Sequence, residues 1–91
     1  MVEIVTNTLP SESRERVASL VKAAIGFRPG LWQVSLLGSH KVSRFVVFIR
    51  YPEAGFNRSW VFDHIEDPVQ RVIEGGLSAA GLDQNRLDYS A

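Results

Sequence analysis

The residues best suited to chemistry stand together in one short run, Asp63-His64-Ile65-Glu66-Asp67. His64 could act as a general base, or it could bind a metal ion together with Glu66 and Asp67. The acidic residues have a simpler explanation. Asp67 followed by Pro68 is typical of the start of a helix. Carboxylates near such a start are also stabilised by the positive end of the helix dipole. The run therefore predicts the beginning of a helix, and we expect no catalytic residue, metal ligand or cofactor.

Other motifs associated with catalysis are incomplete. Gly76 and Gly81 have the spacing of the glycines in a phosphate-binding loop, but the lysine and serine or threonine that must follow are absent. Ser78 has a glycine two positions before it but none two positions after it, as a nucleophile elbow requires. The chain contains no cysteine, which excludes disulfide bonds and thiolate-based zinc sites. The sequence therefore predicts a protein that is not an enzyme.

The composition is that of one small domain. The chain has 91 residues, of which 45% are hydrophobic and 22% are charged, close to the average for globular domains. We expect a single domain over residues 1–91, with residues 82–91 forming a partly ordered tail. No apolar run reaches the ~18 residues that span a bilayer, and the first residues do not form a signal peptide. A soluble, cytoplasmic protein without a membrane partner is expected.

Charge is balanced in total but unevenly distributed. Ten basic and ten acidic residues give a formal net charge of zero. Residues 28–62 contain five basic residues and one acidic residue, whereas residues 63–91 contain two basic and six acidic residues. Either the acidic end contacts the basic segment, within one chain or between copies, or the basic segment binds an anionic partner such as RNA. The cations considered for RNA are Lys41, Arg44, Arg50 and Arg58.

The first element with a clear pattern is an amphipathic helix over Ser11–Ile25. Its apolar residues repeat at helical intervals and are Val17, Leu20, Val21, Ala24 and Ile25. Ser11 or Ser13 is expected to cap its first turn. Gly26 is expected to follow the helix in a left-handed conformation, with Phe27 folding back onto the last turn.

Strands are predicted from runs rich in β-branched and aromatic residues, which are residues 2–6, 31–37, 42–51 and 60–64. Residues 28–30 form the turn before the second strand. The second and third strands are expected to pair as a hairpin through residues 38–41. Pro52 cannot donate to a strand ladder and is expected to end the third strand, so that residues 52–59 form a polar loop.

A second helix completes the predicted fold. Asp67 is expected to cap it, with Pro68 in its first position. Its apolar residues are Val69, Val72, Ile73, Leu77 and Ala80. Gly75 and Gly76 interrupt this pattern, so the helix either stops near Glu74 or uses the glycines to approach the sheet closely. The order β-α-β-β-β-α predicts an α+β two-layer sandwich, with an antiparallel sheet of three or four strands and both helices on one face.

The third strand is apolar on both faces, although a two-layer sandwich buries only one. Its alternating residues form two sets, one being Phe45, Val47 and Ile49 and the other Arg44, Val46, Phe48 and Arg50. Whichever set meets the helices, large apolar side chains remain on the uncovered face. The residues expected at an interface on that face are Arg44, Val46, Phe48, Arg50 and Trp60.

Several interpretations of the uncovered face stay open. The termini of the chain could cover it, or it could bind an unidentified small ligand. It could serve self-association, because large exposed apolar patches usually mark interfaces. It could also stack unpaired bases on Phe48 or Trp60, with nearby arginines on phosphate. The leading prediction is a self-associating interaction module, most simply a homodimer; the alternatives are an RNA-binding protein and a small subunit or adaptor of a larger complex.

Overall fold

A computed structural model of the chain describes residues 1–39 and 42–82. Its elements are β1 (Val2–Asn7), α1 (Ser11–Ile25), β2 (Trp32–Ser39), β3 (Val42–Tyr51), a 3-10 turn (Pro52–Ala54), β4 (Phe56–Phe62) and α2 (Val69–Ala79). This order confirms the predicted α+β class, with β1 present as the first strand. The predictions for residues 40–41 of the hairpin turn and for the tail beyond residue 82 lie outside the described residues.

The four strands form one mixed sheet in the order β1-β2-β3-β4. β1 runs parallel to β2, because α1 carries the chain back between them, whereas β3 and β4 follow as antiparallel neighbours. The expectation of a purely antiparallel sheet is therefore wrong at its first strand. A register shift between Ile4 and Thr6 interrupts the pairing of this edge strand.

Both helices cover the same face of the sheet, and the core lies between these two layers. The sheet contributes Trp32, Val34, Leu36, Phe45, Val47, Ile49, Tyr51, Trp60 and Phe62. The helices contribute Val17, Val21, Ala24, Ile25, Val69, Ile73 and Leu77. The apolar stripes predicted from helical spacing are largely confirmed, although Val72 and Ala80 are exposed and Leu20 is half-buried.

The bounds of α1 agree with the prediction, but its ends are held differently. Pro10 is the N-cap, and no side chain forms a capping hydrogen bond, so the predicted cap by Ser11 or Ser13 is wrong. Ser13 lies on the side of the helix that faces the core and is only 5% exposed. Gly26 has the expected positive φ, at 63°. Phe27, however, is 97% exposed and does not fold back onto the helix.

Arg28 occupies the end of α1 in place of Phe27. Its side chain is 5% exposed, and its Nη1 donates to the carbonyl oxygens of Ala24 and Ile25, each at 2.8 Å. Its Nε donates to the carbonyl oxygen of Leu82, just beyond α2. The last carbonyls of a helix lack intrahelical partners and form the negative end of its dipole, so a cation stabilises them. Arg28, predicted to lie in a simple turn, therefore connects the ends of both helices.

The connection from β3 to β4 is tighter than predicted. One 3-10 turn (Pro52–Ala54) and Gly55, with φ at 64°, reverse the chain. Glycine adopts this left-handed conformation without the steric cost of a Cβ. β4 consequently begins at Phe56 rather than at Trp60, and the predicted polar loop over residues 52–59 is wrong, because β3 and β4 stay paired up to the turn.

α2 continues through Gly75 and Gly76, the two glycines that interrupt its apolar pattern. It begins at Val69, after Pro68 as N-cap, and ends at Ala79, so the alternative that it stops near residue 74 is wrong. A Cβ built on Gly76 would lie 2.7 Å from Cζ2 of Trp60, well inside van der Waals contact. The absence of a side chain at Gly76 is therefore what allows α2 to lie directly on the sheet.

Candidate functional site

The candidate functional surface is the face of the sheet opposite the helices, which we call the open face. Its residues, by strand register and alternation, are Glu3, Thr6, Gln33, Ser35, Leu37, Arg44, Val46, Phe48, Arg50, Asn57, Ser59 and Val61. Asp63, directly after β4, joins them through its contact with Arg44. The other set of β3 residues faces the helices, so the structure selects one of the two arrangements that the sequence allows. Leu37 and Val61 keep 44% and 61% of their surface exposed, and no segment within residues 1–39 and 42–82 covers this face.

The centre of the open face is apolar across three strands. Leu37, Val46 and Val61 lie side by side on β2, β3 and β4. Phe48 occupies the next row, flanked by a serine on each neighbouring strand. Side chains at directly paired positions have Cβ atoms only ~5 Å apart, and Phe48 follows Val46 on the same face of β3, about 7 Å along the strand. These four residues therefore form one continuous patch.

Charged side chains stand at both ends of the apolar patch. At one end, Nε of Arg44 donates to Oδ1 of Asp63 at 3.1 Å, and both side chains are mostly exposed. At the other end, Arg50 pairs with Gln33, which pairs in turn with Glu3. Each end therefore carries one cation and one anion, and the described open face has no net charge.

Trp60, expected at the interface, lies instead on the face that the helices cover. It is 7% exposed and packs beneath Gly76. The strand register explains this position, because Trp60 pairs with Val47, which faces the helices, whereas Val61 pairs with Val46. Trp60 is therefore not part of the open face, and it presents no free ring there on which a base could stack.

The cations considered for RNA binding do not share one surface. Arg44 and Arg50 stand six residues apart on β3, about 20 Å along the strand. Arg58 lies on the other face, with its guanidinium carbon 5.0 Å from the centroid of the Trp60 ring. Lys41 lies outside the described residues. The described cations thus do not form the continuous basic surface that a phosphate backbone favours.

The acidic run after β4 forms a turn. Oδ2 of Asp67 accepts hydrogen bonds from the backbone N–H groups of Asp63, at 3.0 Å, and His64, at 3.2 Å. Asp67 therefore caps this turn, and its predicted role as the cap of α2 is wrong. In the part of the chain that the structure describes, no group of three His, Asp or Glu side chains is placed to hold a metal ion.

A pocket at one end of the core is a feature that the sequence pattern did not predict. Its volume is about 390 Å³, and it opens where α1 begins, beside the start of β3 and the turn that follows β4. Leu9, Phe45 and Ile65 form its apolar wall, and Ser13 contributes a hydroxyl group. One signal was present, since Ser13 stands four residues before Val17 and so on the apolar side of α1.

Comparison with protein-family models, curated proteins and solved structures finds no match to this chain. Among the described residues, none of the helices is long and apolar enough to cross a bilayer. The geometry of the open face is therefore the basis on which function is proposed.

Proposed function

We propose that this protein is a small non-catalytic interaction module that self-associates through its open face, as a cytoplasmic homodimer. The observation that supports the proposal is the continuous apolar patch formed by Leu37, Val46, Phe48 and Val61. Removing apolar surface from water is favourable by about 25 cal/mol per Å². A patch at the centre of a regular sheet face is flat and rigid, which suits it to packing against a second sheet.

The charges around the patch favour a second copy of the chain over an anionic or cationic partner. A two-fold symmetric interface uses the same surface on both chains, so that surface must complement itself. Arg44 and Asp63 at one end and Arg50 and Glu3 at the other give each end both signs of charge. Because each end carries both signs of charge, neither end of one copy would present a surface of a single sign to the other.

The size of the open face sets the expected strength of the dimer. Four strands of about seven residues cover roughly 19 by 23 Å, or about 440 Å² in projection. Stable protein–protein interfaces bury about 800 Å² on each partner. Accessible surface exceeds projected area, but obligate interfaces bury more than about 1,000 Å² on each partner. We therefore expect a dimer that dissociates in the micromolar range rather than an obligate one.

The alternatives use some of the same residues. A small subunit or adaptor of a larger complex would present the same apolar patch to a different chain. RNA binding through Lys41, Arg44, Arg50 and Arg58 receives less support. Arg44 and Arg50 stand at opposite ends of β3, and Arg58, on β4, lies on the other face of the sheet.

The proposal is tested by replacing Phe48 with glutamate. A carboxylate at the centre of the patch would have to leave water when the dimer forms, which is costly. Light scattering during size exclusion, at about 10 and about 300 µM, should give the wild type twice the chain mass of 10.2 kDa at the higher concentration. Phe48→Glu should give the single-chain mass at both concentrations.

Val72→Glu is the matched control, because Val72 is a 40% exposed apolar residue on α2, away from the open face. It introduces the same charge and should retain the concentration dependence of the wild type. A wild type that stays at the single-chain mass at about 300 µM, or a Phe48→Glu variant that still dimerises, would contradict the proposal.

A further inference from the structure

We propose that β4, an edge strand of the sheet, binds an extended segment of another protein in which an acidic residue alternates with apolar ones. Because β4 is last in the order β1-β2-β3-β4, its outer side pairs with no strand among the described residues. An edge strand presents a row of unpaired N–H and C=O groups, with which an added strand can pair. The edge is distinct from the open face, so the proposal does not rest on self-association.

The two edges of the sheet differ in how well they could accept a strand. β1 is interrupted by the register shift between Ile4 and Thr6, and irregularities of this kind protect an edge from pairing. β4 pairs with β3 from Phe56 to Phe62 without a shift. It also contains neither proline nor lysine, the residues that most often block an edge. β4 is therefore the edge that a further strand can extend.

One side of α2 faces the β4 edge. On the far side of this helix, Gln70 and Glu74 line a hollow together with residues of α1. Gly76, in contrast, lies against Trp60 of β4. Val72 stands one turn before Gly76, on the same side of the helix, and is 40% exposed. α2 therefore offers apolar surface on the side where a strand would join β4.

Arg58 supplies the charge by which the edge selects its partner. It is the only charged residue of β4, and its side chain is exposed. Its guanidinium carbon lies 5.0 Å from the centroid of the Trp60 ring, on the covered side of the sheet. Arg58 forms no salt bridge with any described residue. An acidic side chain directly opposite Arg58 on an added strand would therefore be favourable.

The neighbours of Arg58 on the covered side define the rest of the partner. Phe56, two residues before it, is a half-buried aromatic residue. The position opposite Trp60, two residues after it, lies on the side of α2 that carries Val72. Because side chains alternate along a strand, the partner needs an acidic residue with an apolar residue two positions away on each side. This pattern is the same in both directions, so it fits a parallel or an antiparallel strand.

A second copy of β4 fits this edge less well. The strand contains no carboxylate, so pairing β4 with β4 supplies no anion for Arg58. Pairing centred on Arg58 would even place like charges directly opposite each other, which is destabilising. The charge of the edge therefore favours an acidic segment of a different protein.

The proposal is tested with the peptide Thr-Ile-Thr-Glu-Thr-Ile-Thr, blocked at both ends. ¹H–¹⁵N correlation spectra should show saturable shifts at the N–H groups of β4, with a dissociation constant on the order of 100 µM. The N–H groups of β4 that point outward should also exchange more slowly with solvent, because the added strand bonds to them. A lysine in place of the glutamate should weaken binding about ten-fold, since attraction to Arg58 becomes repulsion. The isomer Thr-Thr-Ile-Glu-Ile-Thr-Thr has the same composition without the alternation and should also bind more weakly.

Two protein variants identify the contact. Arg58→Glu should invert the preference, so that the lysine peptide binds about ten-fold more tightly than the glutamate peptide. Arg71→Glu is the matched control. It makes the same change of charge at an exposed position of α2 that lines the hollow beside α1, and it should keep the preference of the wild type.

The proposal is overturned if the glutamate peptide produces no saturable shifts along β4, or if the isomer without alternation binds equally well. It is equally overturned if Arg58→Glu still prefers the glutamate peptide. Slow exchange of the outward N–H groups of β4 in the free protein would also contradict it, because the edge would then be paired already by a second copy or by the chain itself.

Discussion

The two faces of β3 differ far more in their surroundings than in their composition. Phe45 and Ile49 on one face are buried beneath the helices, whereas Val46 and Phe48 on the other are half-buried only by their neighbours in the sheet. Both faces are apolar, but the described chain supplies only one covering layer. The difference shows that apolar content alone does not identify a core, because apolar side chains are buried on one face and remain partly exposed on the other.

The largest expected effect is a difference in stability loss between substitutions on the two faces. Ile49→Ala removes a fully buried side chain and leaves a cavity, so we expect the free energy of unfolding to fall by about 3 kcal/mol. Phe48→Ala removes a half-buried side chain from the open face and should lower it by only about 1 kcal/mol. Urea unfolding at about 5 µM protein, where association contributes little, measures both; equal losses would mean that the open face is part of the core.

Local patterns in the sequence were sufficient for some parts of the fold and not for others. The bounds of α1 follow from spacing within one helix, which is why they were predicted correctly. The pairing of β1 with β2 joins segments far apart in sequence, and the pattern within each strand does not reveal which strand is its neighbour. Asp67 was misassigned because the same side chain can cap a helix or accept hydrogen bonds within a turn.

The candidate site was predictable to the same extent. Alternation along β3 correctly grouped Arg44, Val46, Phe48 and Arg50 on one face, because that grouping needs only the period of a strand. Trp60 was assigned wrongly, because its face depends on how β4 pairs with β3. The bonds that Arg28 makes to two helix ends, and the pocket beside Ser13, arise from tertiary packing and have no local signature beyond the placement of Ser13.

A smaller effect should distinguish the covered and exposed sides of α2. Gly76→Ala places a Cβ 2.7 Å from the buried ring of Trp60, which must move, and we expect the free energy of unfolding to fall by about 1–2 kcal/mol. Gly75→Ala meets no atom within 4 Å and should raise it by up to about 1 kcal/mol, through helix propensity. Thermal or urea unfolding measures both changes.

The contact with Trp60 can be isolated by a double-mutant cycle. In a Trp60→Leu background the penalty of Gly76→Ala should largely disappear, because the atom that it would contact is gone. An unchanged penalty in that background, or the same sign for the two glycine substitutions, would mean that close approach to the sheet is not what requires Gly76.

The smallest expected effect is on the pH dependence of stability, through the ionisation of Tyr51 at the end of β3 on the covered face. Its ring stacks on Trp32 with centroids 4.0 Å apart, and its hydroxyl donates to Oε2 of Glu53 at 3.0 Å. Burial, followed by the hydrogen bond to Glu53 and its negative charge, raises the pKa of Tyr51 above its ordinary value of 10.0. The folded protein therefore keeps this proton at a pH where the unfolded chain has released it.

Above pH 10.0 the unfolded state therefore binds fewer protons than the folded state. The free energy of unfolding should decline as the pH rises through this range, and the decline should stop once the pKa of Tyr51 in the folded protein is passed. Tyr51→Phe should remove this part of the slope, although the lost hydrogen bond costs about 1 kcal/mol at neutral pH. Glu53→Gln keeps an acceptor but removes the charge, so it should retain a shallower slope. Urea unfolding between about pH 8 and 11 compares the three proteins. An identical alkaline slope in Tyr51→Phe would show that Tyr51 is no more enclosed than a residue of the open face.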